Sequence, residues 1–204
     1  GLDSTNYVSF VSTNNYAAGQ MAARKLAELV GGKGSVAMLM NAPGSASTME
    51  RERGFTDVIA SDFPNIHIVA TQYGQSDNAL ALQAAENILS AHPELNGFFA
   101  SAEPSSIGTA IALKTRGLSG KVKFVAFDSS DGMIADLKAG TISAMVVQDP
   151  FKMGYTAVET LVEKLRGQTP AKRIDLSATV VTKADLDKPE IQALLKPDVK
   201  KYIH

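Results

Sequence analysis

Short β-rich runs and helical periods take turns along this chain, and that alternation limits the fold more than any other feature. "YVSFVS" (7–12), "SVAMLM" (35–40), "IHIVATQ" (66–72), "GFFAS" (97–101), "VKFVAF" (122–127), "ISAMVV" (142–147) and "SATVVT" (177–182) read as strands. Helical periods fill the gaps, as in "STMERERGFTDVIA" (47–60), "NALALQAAENILSAH" (78–92) and "SIGTAIALKTRG" (106–117). Strands separated by helices are parallel and joined by right-handed crossovers. The expected fold class is therefore α/β, a doubly wound parallel sheet with helices on both faces.

Local punctuation supports these boundaries. Asn15 suits the cap of the first helix, where Tyr16, Met21, Leu26 and Val30 fall roughly on one side. In the second helix Phe55, Val58 and Ile59 are expected inward. "GGKG" (31–34) is a stop and a turn. Asp149-Pro150 ends "SAMVV" and opens a helix. The aspartate can accept a hydrogen bond from the first turn, and proline has no N–H to leave unpaired at the first helical position. That abrupt stop leaves Gln148 at a strand end with a donor and an acceptor to offer.

Of the function classes, composition excludes some and leaves others. The formal net charge is -1 with no strong basic run, so binding to a nucleic acid backbone is not expected. There is no cysteine, hence no disulfide, thiolate metal site or cysteine nucleophile. His67, His92 and His204 lack metal-ligand spacing, and no stretch is apolar for long enough to span a bilayer. The catalytic templates fail too. "GGKG" lacks P-loop spacing, "APGSAS" is not a nucleophile elbow, and no G-x-G-x-x-G follows a strand. No catalytic residue, metal or cofactor is expected.

In an open parallel sheet, ligands bind beyond the carboxyl ends of the strands. The residues expected there are Asn41, Gln72 and Tyr73, Glu103, Asp128 and Gln148, with Arg51 just inside the following helix. A guanidinium, carboxylates and amides on one rim suit a neutral polyhydroxyl ligand, because each hydroxyl both donates and accepts. Plainer readings stand beside this one. Arg51 lies in the charge run "MERERGF", which reads equally as a solvated helix face. Asp128 can be a turn residue, Gln148 a strand end, and Glu103 the opening of a helix before Pro104.

The segments "STNNYAAGQMA", "RERGFTDVI", "ILSAHPELNGFFAS", "FVAFDSS" and "VVQDPFKMGYTAVETLVEKLRG" resemble, in order and spacing, landmarks of type I periplasmic solute-binding proteins, the ribose-binding-protein group. The likeness covers most of residues 7–182. The same core occurs in LacI-type repressors, but "VVQDPFKMGY" and the tail "LDKPEIQALLKPD" resemble the transporter branch more. The resemblance implies two α/β lobes closing on a sugar, with Arg51, Asp128 and Gln148 touching its hydroxyls and Glu103 and Asn41 as further ligand-binding candidates. It implies an ABC permease in the membrane as partner, and a periplasmic location, or a membrane-associated extracellular one in a Gram-positive host. Ala102-Glu103 and Ser76 depart from the pattern of ribose binders.

The resemblance further implies that the family's first lobe would precede Gly1. Residues 1–148 and 176–190 are then expected to form the second lobe. Residues 149–175 are the hinge and the helix normally returned to the first lobe, and 191–204 a peripheral tail. Within 150–167, Phe151, Met153, Tyr155, Val158, Leu161, Val162 and Leu165 form a wide apolar stripe. Deprived of the first lobe, this helix is expected to pair with a second copy as a homodimer, or else to be displaced or to fold back onto its own lobe. Two other functions stay open at this level: the effector-binding core of a repressor, and an enzyme on the same sheet.

Overall fold

Apolar side chains point to both faces of the central strands, so helices must cover both sides. A computed structural model describes residues 4–201 (Lys200 by its backbone alone); His204 and the end of the expected tail lie outside the described residues. The strands of the main sheet are β2 (Gly34–Met40), β3 (Ile66–Tyr73), β4 (Gly97–Ala100), β5 (Lys123–Phe127), β6 (Ala144–Val147) and β8 (Thr179–Thr182), in spatial order β3-β2-β4-β5-β6-β8. Successive residues of a strand face opposite ways. Ala37 and Leu39 of β2 join Phe98, Phe124 and Met145 on one side. Val36 and Met38 join Phe99, Val125 and Val146 on the other.

The first side is covered by α3 (Asn78–Ala91), α4 (Glu103–Thr115) and α5 (Asp131–Ala139), through Ile88, Leu113 and Leu137. The second is covered by α1 (Asn15–Leu29) and α2 (Ala46–Asp62), through Leu26, Phe55, Val58 and Ile59. Phe55 stacks on Phe99 with ring centroids 4.4 Å apart. Each large side chain so buried contributes about 1.5–3 kcal/mol relative to exposure. The expected doubly wound sheet is present, and the inward face of α2 is the one read from its period.

Four features differ from expectation. First, the sheet is not wholly parallel: β8 runs antiparallel to β6. Between β6 and β8 the chain leaves the main sheet, through a helix (150–165) that lies beside residues 10–13 and a strand (173–176) of the second sheet, so it is not returned by a crossover helix packed on the main sheet. Second, β1 (Phe10–Thr13) stands outside the main sheet and pairs in parallel with β7 (Arg173–Leu176), a strand that the short sequence "RIDL" concealed. Third, α1 is capped by Asn14, whose side chain accepts from Ala17 N, and not by Asn15. The buried face of α1 is built from Ala18, Gly19, Ala22, Ala23, Leu26 and Ala27, while Tyr16 and Met21 are only half-buried. Small residues face inward because α1 and α2 touch backbone to backbone. A Cβ on Gly19 would lie 1.9 Å from the Arg51 carbonyl oxygen, and one on Gly54 would lie 2.1 Å from that of Tyr16. Fourth, residues after 190 are not all peripheral: α7 (Pro189–Leu195) buries Ile191 in the same cluster as Leu137 and Leu186.

Helix α6 (Pro150–Leu165) begins as the sequence predicts. Asp149 Oδ1 accepts from Lys152 N at 2.8 Å, and Pro150 opens the helix. It lies beside β1 and buries Thr160, but its apolar stripe stays largely exposed, up to 63% at Val158 and 79% at Leu165.

Candidate functional site

Three chain segments meet beyond the carboxyl ends of β4, β5 and β6. At the end of β5, Asp128 adopts a left-handed backbone (φ 71°), a region that Asp and Asn tolerate better than most side chains. Its N–H donates to Val146 O of the neighbouring strand at 2.9 Å, so the turn out of β5 is fixed. At the end of β6, Gln148 Nε2 donates to Asp128 Oδ1 at 2.6 Å. At the end of β4, the N–H of Glu103 donates to Asp128 Oδ2 at 3.2 Å. Glu103, Asp128, Ser129, Val147, Gln148, Pro150 and Met153 line a cleft of about 230 Å³ there.

Arg51 does not itself line this cleft but lies beside Asp128, which does. It is 5% exposed, so the reading of "MERERGF" as a solvated face does not hold at this residue. Its guanidinium lies 3.8 Å from the Phe127 ring centroid and 3.8 Å from Asp128 Oδ2. Nε donates to Asn15 Oδ1 at 2.8 Å and Nη1 to Ser101 O at 2.9 Å. Nη2 has no protein partner among the described residues. Burial lowers the pKa of this arginine, and the charges of Asp128 and Glu52 act against that shift. The close approach of α1 and α2 at Gly19 and Gly54 explains why Asn15 and Arg51 can meet.

The structure therefore brings together Arg51, Asp128, Gln148 and the backbone of Glu103. Asn41 is not among the residues lining the cleft: its N–H donates to Glu52 Oε1 at 3.1 Å, and its side-chain oxygen is enclosed with no hydrogen-bond partner among the described residues. Tyr73 is exposed on the rim and does not line the cleft either.

Sequence reasoning missed Thr13, Glu52 and Ser101. Thr13, the last residue of β1, is buried and donates to Gln148 Oε1 at 2.7 Å, so both ends of the Gln148 amide are oriented by protein groups. Glu52 is 6% exposed, and burial raises its pKa against the hydrogen bonds from Ser101 and Asn41. Nothing in the run "ERER" distinguishes it from its solvated neighbour Glu50. Among the described residues, no group of three His, Cys, Asp or Glu is placed to hold a metal ion.

The arrangement holds donors and acceptors fixed on one rim, where a ligand can use the groups that remain free. Residues 2–169 match the family described as periplasmic binding protein domain. The chain belongs to the periplasmic binding protein family. Among the relatives of this periplasmic binding protein domain is the ribose import binding protein of Haemophilus influenzae, 28% identical over 89% of this chain and 61% of its own length. A carbohydrate transporter solute binding protein from Agrobacterium radiobacter, solved with D-arabinose, superposes with a TM-score of 0.90 at 34% identity, covering 96% of this chain and 68% of that one. A periplasmic solute binding protein from Actinobacillus succinogenes, solved with D-allose, gives a TM-score of 0.82 at 32% identity, covering 87% and 63%. The chain thus spans 53–61% of the length of the ribose import binding proteins that it matches in Haemophilus influenzae, Bacillus subtilis and Escherichia coli. The family read from the sequence landmarks is the family found.

Proposed function

We propose that this chain is the ligand-recognition lobe of a solute-binding protein serving an ABC importer, and that its ligand is a sugar or a similar small polyol. The observation that carries the reading is the convergence of Arg51, Asp128 and Gln148 at the carboxyl ends of the strands. A guanidinium donates, a carboxylate accepts and an amide does both, which matches vicinal hydroxyls that do both. The similar proteins named above are described as import or transport binding proteins, which favours the transporter branch over a repressor core and over an enzyme. A periplasmic or extracellular location and a membrane permease as partner follow from the same reading.

A closed cleft of this kind encloses its ligand from two sides, and pockets bury most of a small ligand's surface. One lobe supplies half of the contacts. Halving a micromolar binding free energy of about -8 kcal/mol leaves dissociation near the millimolar range. Saturation-transfer NMR of the chain with D-ribose, D-allose and D-arabinose, against amino acids and nucleotides at equal concentration, tests the reading. Sugars alone should receive magnetisation. Transfer to amino acids or nucleotides and none to sugars would overturn it.

We further propose that the exposed face of α6 is where this lobe meets its partner lobe, and that in this chain by itself the face pairs with a second copy. Val158, Leu161 and Leu165 are each at least half exposed or nearly so, and faces of this kind mark interfaces. Light scattering across a concentration series should show a dimer growing with concentration; a monomer at every concentration removes the proposal.

A further inference from the structure

Among the described residues Glu52 is the one buried carboxylate, and it does not line the cleft. Its Oε1 accepts from Ser101 Oγ at 2.7 Å and from Asn41 N at 3.1 Å. These two partners are the residues that follow β4 and β2, so one carboxylate on α2 ties together two strand ends. The segment from Ser101 to Glu103 carries more than this tie. The Ser101 carbonyl receives Arg51 Nη1, and the Glu103 N–H reaches Asp128 Oδ2. Arg51 and Asp128 thus both rest on the turn that Glu52 holds from behind. We propose that Glu52 is a positioning residue for the cleft: by accepting from Ser101 and Asn41, it sets the turn on which Arg51 and Asp128 depend.

The role is that of an acceptor. Arg51 already has Asp128 beside it at 3.8 Å, so the charge of Glu52 is not needed to hold the guanidinium in place. Glutamine at this position keeps an oxygen where Oε1 lies and can accept both bonds. Alanine leaves a buried hydroxyl and a backbone N–H without an acceptor, which a folded chain relieves by moving them.

The test uses the 204-residue chain and two readouts. The first needs no ligand: the ¹⁵N–¹H signal of Arg51 Nε, which the bond to Asn15 should protect from exchange with water. The second is D-arabinose affinity by NMR titration, which rests on the sugar-binding reading above. For Glu52→Ala, the Arg51 signal should shift and lose protection, and affinity should fall about tenfold. Glu52→Gln should restore both. Ser101→Ala, which removes only the hydroxyl end of the tie, should give a smaller effect in the same direction, and keeps the proposal testable if Glu52→Ala does not fold. A lower melting temperature for Glu52→Ala and Ser101→Ala, with the Arg51 signal and affinity unchanged, would show a structural role only and overturn the proposal. Glu52→Gln failing as badly as Glu52→Ala would overturn the acceptor mechanism. If the Arg51 signal behaves as expected while D-arabinose binds no variant, positioning stands and the sugar reading fails.

Discussion

Adding a single methyl group at Gly19 should separate the two helices that bring Arg51 to Asn15. The new Cβ would sit 1.9 Å from the Arg51 carbonyl oxygen; the first atom is fixed to one helix backbone and the second is part of the other, so neither can rotate away. Ordinary contact begins near 3.4 Å, so α1 must withdraw from α2 by roughly 1.5 Å at that point. Overpacking of this kind costs about 1–3 kcal/mol, and a rigid backbone contact belongs at the upper end. Alanine's better helix propensity returns about 1 kcal/mol. Gly19→Ala should therefore destabilise the chain by about 2 kcal/mol net. Gly154→Ala in the exposed part of α6 is the control. Nothing lies within 4 Å of its Cβ, so only the propensity gain of up to about 1 kcal/mol remains. Urea unfolding followed by circular dichroism, with equal m-values required, measures both. Gly19→Ala matching Gly154→Ala in stability would show that the α1–α2 contact is not as close as described.

Other perturbations act on the cleft more directly. Burial holds the Glu52 pKa above its ordinary value of 4.5, so the folded state binds this proton more tightly than the unfolded state does. The contribution of Glu52 to stability is then greatest below that value, falls as pH rises through the raised folded value, and is flat above it. Glu52→Gln does not titrate, so its stability relative to the parent should climb across the same window; a pH-independent difference in urea midpoints would contradict this. Asp128→Ala removes the acceptor for Gln148 Nε2 and Glu103 N and should cost about 1–2 kcal/mol of stability. Asp128→Asn, which suits the left-handed backbone and keeps one acceptor, should cost less, and the reverse order in thermal melts would refute the assigned contacts. Val158→Lys should leave the unfolding free energy within about 0.5 kcal/mol, because the residue is exposed. It should also lower the dimer population seen by light scattering; an unchanged dimer places the contact elsewhere.

What the sequence made legible followed from periodicity and punctuation. The inward face of α2, the glycine turn after α1 and the Asp149-Pro150 helix start all rest on local chemistry, and the structure shows each of them. The burial of Arg51 and Glu52 was not legible from pattern, because a charge run looks the same whether or not α1 covers part of it. That cover exists because Gly19, Gly54 and a row of alanines let α1 come close, which is a property of two distant segments together. The misplacement of the cap by one residue, Asn14 for Asn15, has a similar cause: either asparagine can cap, and Asn15 is held by Arg51. Strand β7 was missed because it is four residues long, and one alternation of Arg-Ile-Asp-Leu is too short to read as a strand. The grouping of Asp128 with Gln148 was expected from strand ends. The orientation of Gln148 by Thr13 was not, since Thr13 reaches it from a separate sheet.

Arg51, Asp128 and Gln148 are proposed above to form half of a sugar site. The most direct measurement is a chemical-shift titration of the isotope-labelled chain with D-arabinose and D-allose into the tens of millimolar. Saturable shifts should appear at the Arg51 Nε–H, the Gln148 side-chain amide, and the backbone amides of Glu103, Asp128 and Ser129, with dissociation in the millimolar range and loss of the response in Asp128→Ala. Saturable shifts confined to the opposite end of the sheet, or an unaltered response in Asp128→Ala, would contradict the proposal.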